Sequence, residues 1–501
     1  MISKRKHVII FPILCKKIQG GGSTMIEEYI EKNILRQLFL CGQFYVNKEV
    51  NLEKLSNLLH VCKTTLLNDI NNIKKEFEEQ IAYTHREKDR YTLYFSEHIP
   101  RCKIMQQLSQ NSLFLKTCLL YLEEDEPDYL QLTECEFISV SKAYSLKKQV
   151  LAYFNDCGIE IDRYSPRFTE MERRLLLLNV SYRLGGFNSW ELPESFFERA
   201  DRFIESVTEN SGRFYDKENK EILSIGFAIS FLRQQVCAVT IDSKFIEEIK
   251  KRPIYNYVES AWENTDFQTY YKKEEFAFIL TLFNLCNYGF HSYQLIAEDF
   301  QQLHQVFIDN TPEIKELVAT FESHFNQELF GNQPFERALI HLMRSAWDNY
   351  QLFMPEKFYL LNEEQTNLYK EVQTIFSSWS SQLPYDLRLN PNCMRAFVIE
   401  LSGILRLTKE HLTIYIVTNS DVHYLIYREA LEAVTTFDFQ VAPTIYSSIS
   451  DIKKYAQQSS NRVLCERTLY TPDAVQYENI IPISINTIEL SFQLCKTNKG
   501  L

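Results

Sequence analysis

The side chains best suited to chemistry lie on two short polar helix faces near the N-terminus. Within residues 51–77, four apolar residues recur at spacings of four, three and four: Leu66, Ile70, Ile73 and Phe77. That spacing places all four on one face of a helix. The opposite face then carries polar side chains and no acid: Thr64, Thr65, Asn68, Asn71, Asn72 and Lys75.

These residue types are the ones that read base edges in the DNA major groove. Asn forms paired hydrogen bonds with adenine, Thr contacts the thymine methyl group, and Lys reaches guanine or a phosphate. A helix that Asn51 can cap precedes this face, and the chain turns at His60-Val61-Cys62 before the second helix begins near Lys63. The pair predicts a helix-turn-helix. Many such turns carry glycine, so His60 predicts an irregular turn.

A hairpin is predicted directly after the second helix. Ile81-Ala82-Tyr83 and residues 91–95 have the composition of two strands, and they flank the segment THREKDR. The hairpin tip would carry His85 and three cationic candidates for DNA contact: Arg86, Lys88 and Arg90. In a winged helix such a hairpin touches the DNA backbone or minor groove. The alternative is a helical hairpin with a solvated turn.

A second unit of the same design is predicted at residues 112–161. An apolar helix at 113–122 and a short helix precede a third helix, which Ser139 can cap. Helical spacing turns three of its residues inward: Ala143, Leu146 and Val150. Gln149 and four candidates for DNA contact are predicted to project outward from this helix: Ser141, Lys142, Ser145 and Lys148. The alternative is a plain helical linker domain.

Length and charge agree with a folded DNA-binding protein. At about 150 residues per domain, 501 residues predict several domains, and 45% hydrophobic residues exclude a wholly disordered chain. The net charge of −12 belongs to residues 166–501, because residues 1–165 carry 22 cationic and 22 acidic side chains. Repulsion from phosphates therefore does not exclude an N-terminal DNA-binding module.

Other classes of protein lack their usual signals. The 12 cysteines include no C-x-x-C pair, which favours reduced cytosolic thiols over zinc or disulfides. The longest apolar segment, residues 276–286, is shorter than the about 20 residues of a membrane-spanning helix. A glycine-rich stretch precedes Met25, so residues 1–24 are interpreted as a non-native or disordered extension. No P-loop, H-E-x-x-H, G-x-S-x-G or dinucleotide motif is found, and neither enzyme activity nor a cofactor or metal is predicted.

The remainder of the chain changes character twice. Residues 168–389 show long amphipathic helix patterns and almost no strand signal. After Arg406, apolar and β-branched runs alternate with helical pieces, which predicts a small α/β unit with a parallel sheet. The expected fold is therefore multidomain and mainly α, with two N-terminal winged helix-turn-helix units, all-α bundles and a C-terminal α/β domain.

This order of parts resembles the Mga family of transcriptional regulators from Gram-positive cocci and bacilli. The resemblance covers essentially residues 26–501 and rests on LEKLSNLLHVCKTTLLNDINNI, FISVSKAYSLKKQVLAYF and the segment around IYIVTNS. It implies two helix-turn-helix units, two regulation-like domains of the phosphotransferase system and an enzyme IIB-like domain. The implied divisions after the extension are 25–98 and 99–164 for DNA binding, 165–268 and 269–400 for regulation, and 401–501 for the IIB-like domain.

The resemblance also implies a function. The expected protein is a sequence-specific transcriptional activator of the cytoplasm that binds double-stranded DNA. It forms a homodimer or higher oligomer held largely by residues from about 406 to 501. In relatives, phosphocarriers of the sugar phosphotransferase system phosphorylate histidines of the regulation domains, which adds charge and acceptor oxygens.

Histidine is absent from the first regulation-like domain, and the second contains four: His291, His304, His324 and His341. His341, which lies between Arg337 and Arg344 in sequence, is the first candidate for regulatory phosphorylation, and His324 is the second. For each of them, an ordinary histidine of a helix surface is the alternative.

Two departures from the family pattern bear on function. Lys142 and Ser145 stand where the family usually has Thr and Arg. The loop at Thr418-Asn419-Ser420-Asp421 lacks the cysteine through which IIB domains transfer phosphate, so self-association is the expected role of the tail. The missing cysteine counts against the first alternative function, a phosphotransferase-system component. The helical N-terminus counts against the second, an RNA-binding antiterminator.

Overall fold

The structure is a computed structural model. It describes residues 26–485 apart from 97, 125–127, 129, 164, 187–191, 241–242, 345–346, 357–358, 360, 386, 409–411, 435–438, 457–460 and 471–478. The predicted extension at 1–24 and the start at Met25 lie outside the described residues, as does Cys495. The chain divides into two compact units, of which one holds the residues up to Phe321 and Leu329–Ile399, and the other Glu322–Glu328 and the residues from Glu400 onward.

The N-terminal part of the first unit alternates helices with short strands. Its first set of elements is α1 (Lys32–Asn47), β1 (Glu49–Asn51), α2 (Leu52–Leu59), α3 (Lys63–Glu76), β2 (Ile81–Glu87), β3 (Arg90–Phe95) and α4 (Arg101–Ser109). Its second set is α5 (Leu113–Glu123), α6 (Gln131–Cys135), α7 (Val140–Asp156), β4 (Glu160–Asp162) and β5 (Ser165–Arg167).

A helical body follows, as the amphipathic patterns predict. Its helices are α8 (Glu170–Arg183), α9 (Glu194–Ser211), α10 (Lys217–Arg233), α11 (Ser243–Lys250), α12 (Ile254–Asn264), α13 (Glu275–Leu285), α14 (Tyr293–Leu303), α15 (Pro312–Phe325), α16 (Gln333–Arg344), α17 (Glu363–Ser380) and α18 (Pro391–Thr408). A π-helix spans His304–Asp309. Two-residue strands, β6 (Arg213–Phe214) and β7 (Gly289–Phe290), pair antiparallel within this body.

Helix α1 belongs to two hydrophobic cores at once. Its first turn contributes Ile34 to a large core that also contains Phe114, Tyr153 and residues of α8, α10 and α13. Its later turns contribute Leu40 and Phe44 to a separate, smaller core around α2, α3 and α4. The helix therefore links the two predicted DNA-binding units physically.

Polar contacts in the N-terminal part of α1 reinforce this link. The carboxylate of Glu31, the residue before α1, accepts from Ser112 Oγ at 2.7 Å and from Phe114 N at 3.1 Å, at the start of α5. Farther along, Arg36 Nε donates to Asp69 Oδ2 of α3 at 2.7 Å. Asp69 is buried and Glu31 is partly buried, and their hydrogen bonds fix α1 against α3 and α5.

The second compact unit, which includes the residues from Glu400 onward, contains the parallel sheet predicted from the C-terminal sequence. The sheet has the order β11-β10-β8-β9, and its strands pair in parallel. Its elements are β8 (Leu412–Val417), α19 (Asp421–Val434), β9 (Phe439–Tyr446), α20 (Lys453–Ala456), β10 (Asn461–Glu466) and β11 (Ile480–Ile483). The prediction of an α/β unit is confirmed, whereas the finer division of the chain into six parts stays a prediction.

Among the described residues, no helix has the length and apolar character required to cross a membrane.

Candidate nucleic-acid interface

The first helix pair is joined by a regular tight turn. Asn51 caps α2, its side-chain oxygen accepting from Lys54 N at 2.9 Å, as predicted. His60 then adopts the left-handed conformation, with φ 49° and ψ 42°, and its N–H bonds the carbonyl of Ser56. The expectation of an irregular turn at His60 is wrong, because His60 takes the left-handed helix-ending position without help from glycine.

Helix α3 separates its apolar and polar faces as its spacing predicts. The four residues Leu66, Ile70, Ile73 and Phe77 are buried in the smaller core. The predicted reading face points outward: Thr64, Asn68, Asn71, Asn72 and Lys75 are exposed, and Thr65 is partly exposed. The hydroxyl of Thr65 lies 3.1 Å from Cys62 Sγ at the start of the helix, and this side-chain hydrogen bond lowers the pKa of the Cys62 thiol.

The two acids of α3 are turned away from the reading face. Asp69 is 3% exposed and accepts from Arg36 Nε. Glu76, at the last turn, accepts from Gln107 Nε2 of α4 at 3.2 Å. The exposed surface of α3 therefore presents amide, hydroxyl and ammonium groups, which are donors suited to base edges and phosphates.

The predicted wing exists, but its strands are longer than expected. Strands β2 and β3 pair up to Glu87 and Arg90, so only Lys88 and Asp89 form the turn, with Lys88 at φ 52°. Arg86 and Arg90 accordingly lie on strands, and all three predicted cations are exposed. Strand β1, absent from the sequence prediction, pairs with β3 and completes a sheet of order β1-β3-β2.

The wing is tied to the start of the reading helix. Lys63 Nζ, in the first turn of α3, lies 2.8 Å from Asp89 Oδ1 at the tip of the wing. Asp89 also accepts at its carbonyl from Leu52 N at 2.7 Å. These two contacts hold the hairpin tip beside the N-terminal ends of both α2 and α3. The fold thus brings the predicted helix face and the predicted wing cations into one surface.

Helix α7, in the second predicted DNA-binding unit, also has the predicted arrangement. The side chain of Ser139 caps it by accepting from Lys142 N at 3.3 Å, and Ala143, Leu146 and Val150 are buried. All four predicted contact residues are exposed: Ser141, Lys142, Ser145 and Lys148. Lys148 Nζ lies 4.7 Å from the ring centroid of Tyr144. Gln149 instead turns partly inward and donates to the carbonyl of Tyr29 at 2.6 Å.

Two features of the second predicted DNA-binding unit were not predicted from the sequence. A small hairpin, β4–β5, follows α7 as β2–β3 follows α3, and exposed Arg163 begins its turn with φ 49°. Phe137, just before α7, is 93% exposed and holds φ 51°, a conformation that bulky side chains rarely adopt. Exposed Val140 and Tyr144 continue this apolar edge along α7. The apolar character of Phe137 in the sequence suggested burial rather than exposure.

The histidine candidates differ sharply in accessibility. Among the residues that the structure describes, the buried His341 Nε2 has no hydrogen-bond partner. Burial together with Arg344, Arg337 and Arg213 lowers the pKa of His341 to about 3. His324, in contrast, is exposed. His304 Nδ1 lies 2.5 Å from Glu336, and His291 stacks on Phe214. His341 Nε2 is therefore less accessible than the ring of His324, and the choice of regulatory histidine stays a prediction.

The cysteine-free loop of the C-terminal unit contains a polar cluster that the sequence prediction did not single out. Thr418 Oγ1 donates to Glu466 Oε2 at 2.6 Å, and His423 Nδ1 lies 2.7 Å from Glu466 Oε1. The loop backbone is fixed locally, because Ser420 N donates to Thr418 Oγ1 and His423 N donates to Ser420 Oγ. These residues lie at the carboxyl ends of β8 and β10.

A tight helix pair followed by a hairpin, with a third strand completing the sheet, is the architecture of a winged helix-turn-helix domain. Comparison with family models is more specific. Residues 31–85 match the M protein trans-acting positive regulator (MGA) HTH domain. The match confirms the resemblance to Mga-family regulators for this domain, which includes α1, the helix pair and most of β2. No curated protein matches the chain.

Proposed function

We propose that this chain is a sequence-specific transcriptional regulator that reads the DNA major groove with α3. The observation that carries the proposal is the acid-free outer face of α3. Asn68, Asn71 and Lys75 are exposed together, while Asp69 is buried against Arg36. Asn supplies the paired donor and acceptor that identify adenine, and Lys reaches guanine or phosphate.

The wing supplies the proposed contacts to the DNA backbone. Arg86, Lys88 and Arg90 are exposed, and Asp89 fixes their hairpin to the start of α3 through Lys63. Arg90 is partly compensated by Glu49, at 3.5 Å, so Arg86 and Lys88 are expected to contribute more. Contacts of this kind set the register of a protein on DNA without reading its sequence.

The unit built on α7 is proposed as an additional DNA contact. Lys142 and Lys148 lie exposed on α7 together with Ser141 and Ser145, and the β4–β5 hairpin adds Arg163. This surface carries fewer amide groups than α3 and more exposed apolar area. We therefore assign it mainly to phosphate and sugar contacts.

Activation of transcription, cytoplasmic location and control by phosphocarriers are further parts of the proposal. A regulator of this class acts where the chromosome lies, which places it in the cytoplasm. Among the two candidate histidines, exposed His324 is better suited to receive a phosphoryl group than His341, whose Nε2 is buried. Homodimerisation through the C-terminal sheet remains proposed, with β11 at one edge of its four described strands.

Selection of bound duplexes from a random DNA pool, followed by fluorescence anisotropy, tests the central proposal. The wild-type chain should enrich one motif and bind it with an affinity that falls about a thousandfold between about 50 and 200 mM salt, if about six phosphates are contacted. The triple variant N68A/N71A/K75A should lose at least a hundredfold in affinity for that motif, since each base contact contributes about 1–3 kcal/mol.

The control removes one exposed asparagine and one exposed lysine from other helices. Asn264 and Lys370 are exposed residues of α12 and α17, so N264A/K370A should bind DNA as the wild type does. Circular dichroism should show that both variants are folded. Failure to enrich any motif would contradict sequence-specific binding, and unchanged affinity of a folded triple variant would place the reading helix elsewhere.

A further inference from the structure

The C-terminal sheet has a point at which its strand order reverses, between β8 and β10. Strand β8 pairs with β9 on one side and with β10 on the other, so the chain crosses back over β8 after β9. Both faces of the sheet are covered, since Leu431 of α19 packs with Leu464 on one face and Ile452 packs with Val463 on the other. In open α/β sheets of this kind, ligands bind outside the carboxyl ends of the strands where the order reverses.

The carboxyl ends of β8 and β10 hold three side chains joined by hydrogen bonds. Thr418, the residue after β8, donates to one carboxylate oxygen of Glu466 at 2.6 Å, and His423 Nδ1 lies 2.7 Å from the other. Glu466 ends β10, and its side chain is 12% exposed. Because an ionised carboxylate only accepts hydrogen bonds, the contact with Glu466 places the ring proton of His423 on Nδ1.

The second ring nitrogen of His423 keeps its lone pair. Among the described residues, Nε2 has no hydrogen-bond partner, and 36% of the His423 side chain is exposed. Tyr427, one turn farther along α19, packs edge-on against the imidazole with ring centroids 6.3 Å apart, which restricts the rotation of the imidazole. A carboxylate on one ring nitrogen fixes the tautomer and the orientation of a histidine. His423 therefore presents an oriented nucleophilic nitrogen to solvent.

The edge of the sheet around His423 also suits added negative charge. His423 lies in the first turn of α19, a helix of 14 residues, and the backbone dipoles at the start of a helix favour anions. Arg467, directly after β10, is exposed at the same edge. Asp421 opposes this effect, but its carboxylate accepts from Val422 N at 2.8 Å. The nucleophile thus lies beside a helix start and near an exposed guanidinium.

We propose that His423 accepts a phosphoryl group at Nε2 from a phosphoramidate-class donor, the class to which a phosphohistidine of another protein belongs. The Nε2 lone pair forms a new phosphorus–nitrogen bond while the phosphorus–nitrogen bond of the donor breaks. The donor nitrogen leaves with that electron pair and takes a proton from solvent. The imidazole gains positive charge as the bond forms, and Glu466 compensates this charge through the Nδ1 proton. The site lies outside the regulation-like domains and does not depend on the proposed DNA contacts.

Incubation of the full chain with potassium phosphoramidate, followed by peptide mass spectrometry under conditions that preserve phosphohistidine, tests the site. His423 should be labelled about ten times faster than His85, an exposed histidine that stacks on Tyr83 and has no carboxylate on its ring among the described residues. Only the Nε2 isomer should form at His423, because Nδ1 is bound to Glu466, and phosphorus-31 NMR of the isolated peptide identifies the isomer. A histidine-phosphorylated carrier protein, used in a parallel reaction, distinguishes a protein donor from the small molecule by the faster transfer.

Variants of Glu466 test its role as a positioning residue. Glu466→Gln removes the charge and should lower the labelling rate of His423 about tenfold, and Glu466→Ala frees Nδ1 and should give both phosphohistidine isomers. Glu429→Gln is the control, since Glu429 is exposed on the same helix and should leave the rate unchanged. Circular dichroism should show that the variants are folded.

The comparison of His423 with His85 is made in the wild-type chain and needs no variant. Labelling of His423 that is no faster than that of His85 overturns the proposal. Equal rates and equal isomers in the wild type and in a folded Glu466 variant would also overturn it, because His423 would then react as an ordinary surface histidine.

Discussion

The two units built on α3 and α7, both within the first compact unit, share an architecture but differ in where their hydrophobic residues are buried. The unit built on α3 has a core of its own, centred on Leu66, Ile70 and Ile73. The unit built on α7 has none, because Leu146, Val150 and Phe154 belong to the large core that continues into α8, α10 and α13. A change in the packing of the helical body will therefore reach α7 more directly than α3.

The two outer faces differ in the same sense. The α3 face is polar and carries three asparagines, which suits it to reading sequence. The α7 face combines lysines and serines with exposed Phe137, Val140 and Tyr144. In the proposed function, one unit is a self-contained reader of sequence, and the other contacts DNA as an extension of the helical body.

Truncation of a core residue should reveal the largest difference between the two units, in how far the loss of stability spreads. Leu66→Ala and Leu146→Ala each remove a buried side chain, and each should lower the free energy of unfolding by about 2–5 kcal/mol. Hydrogen exchange measured by mass spectrometry should show lost protection confined to β1–β3, α2–α4 and the later turns of α1 in L66A. In L146A the loss should extend through α5, α8 and α10. Equal spreading in both variants would mean that the smaller core is not independent.

Removing lysines from α7 should have the next largest effect. Lys142→Ala with Lys148→Ala should weaken binding about tenfold for every DNA sequence, because phosphate contacts carry no sequence information. The slope of log affinity against log salt should become shallower by about two, as two phosphate contacts are lost. Anisotropy with the selected motif and with a scrambled duplex measures both quantities. A loss restricted to the selected motif would instead make α7 a second reader.

Removing the backbone strain at Phe137 should stabilise the fold, in contrast to the core truncations, and by a smaller amount. Phe137→Asn replaces an exposed aromatic residue by one that tolerates positive φ, and it should raise the free energy of unfolding by about 1 kcal/mol. Chemical denaturation gives the value. Val236→Asn is the control, since Val236 is 76% exposed without positive φ and should gain nothing. A destabilised F137N would show that Phe137 is packed in solution.

Thiol reactivity should reveal the smallest difference between the units. The hydrogen bond from Thr65 lowers the pKa of Cys62, so more of this thiol is ionised at neutral pH and alkylation should be a few times faster than at exposed Cys135 of α6. Iodoacetamide labelling followed by peptide mass spectrometry measures both rates. Bound target DNA should protect Cys62, at the start of α3. Thr65→Val should remove the rate advantage, and a rate unaffected by this change would exclude the hydrogen bond as its cause.

Periodic elements of the fold could be predicted from the sequence, and so could the reading faces. Helical spacing identified the buried face of α3, and the β-branched runs after Arg406 identified the parallel sheet. Strands β1, β4 and β5 were missed because three residues are too few for alternation to show. The wing strands were predicted too short because His85, Arg86 and Glu87 are charged or polar residues typical of a loop.

Tertiary burial of charge was beyond prediction for a physical reason. Arg344 and His341 occupy positions on an amphipathic helix where local pattern favours solvent exposure. Residues more than fifty positions away enclose these groups: Arg344 bonds the carbonyl of Cys286, and the His341 ring, whose Nε2 is buried, lies against Tyr288. Phe137 is the converse case, because its apolar side chain is exposed by a local backbone conformation that no periodicity indicates.

In the proposed function, in which both α3 and α7 contact DNA, helix α1 restricts the spacing of the DNA sites that this protein recognises. It has 16 residues, a length of about 24 Å, and it begins in one core and ends in the other. The separation and the rotational phase of α3 and α7 around a duplex are therefore properties of the folded protein. Each base pair inserted between their two contact regions rotates one region by about 34–36° relative to the other, at 10–10.5 base pairs per turn. Natural target sites should consequently share one spacing, even where their base sequences diverge.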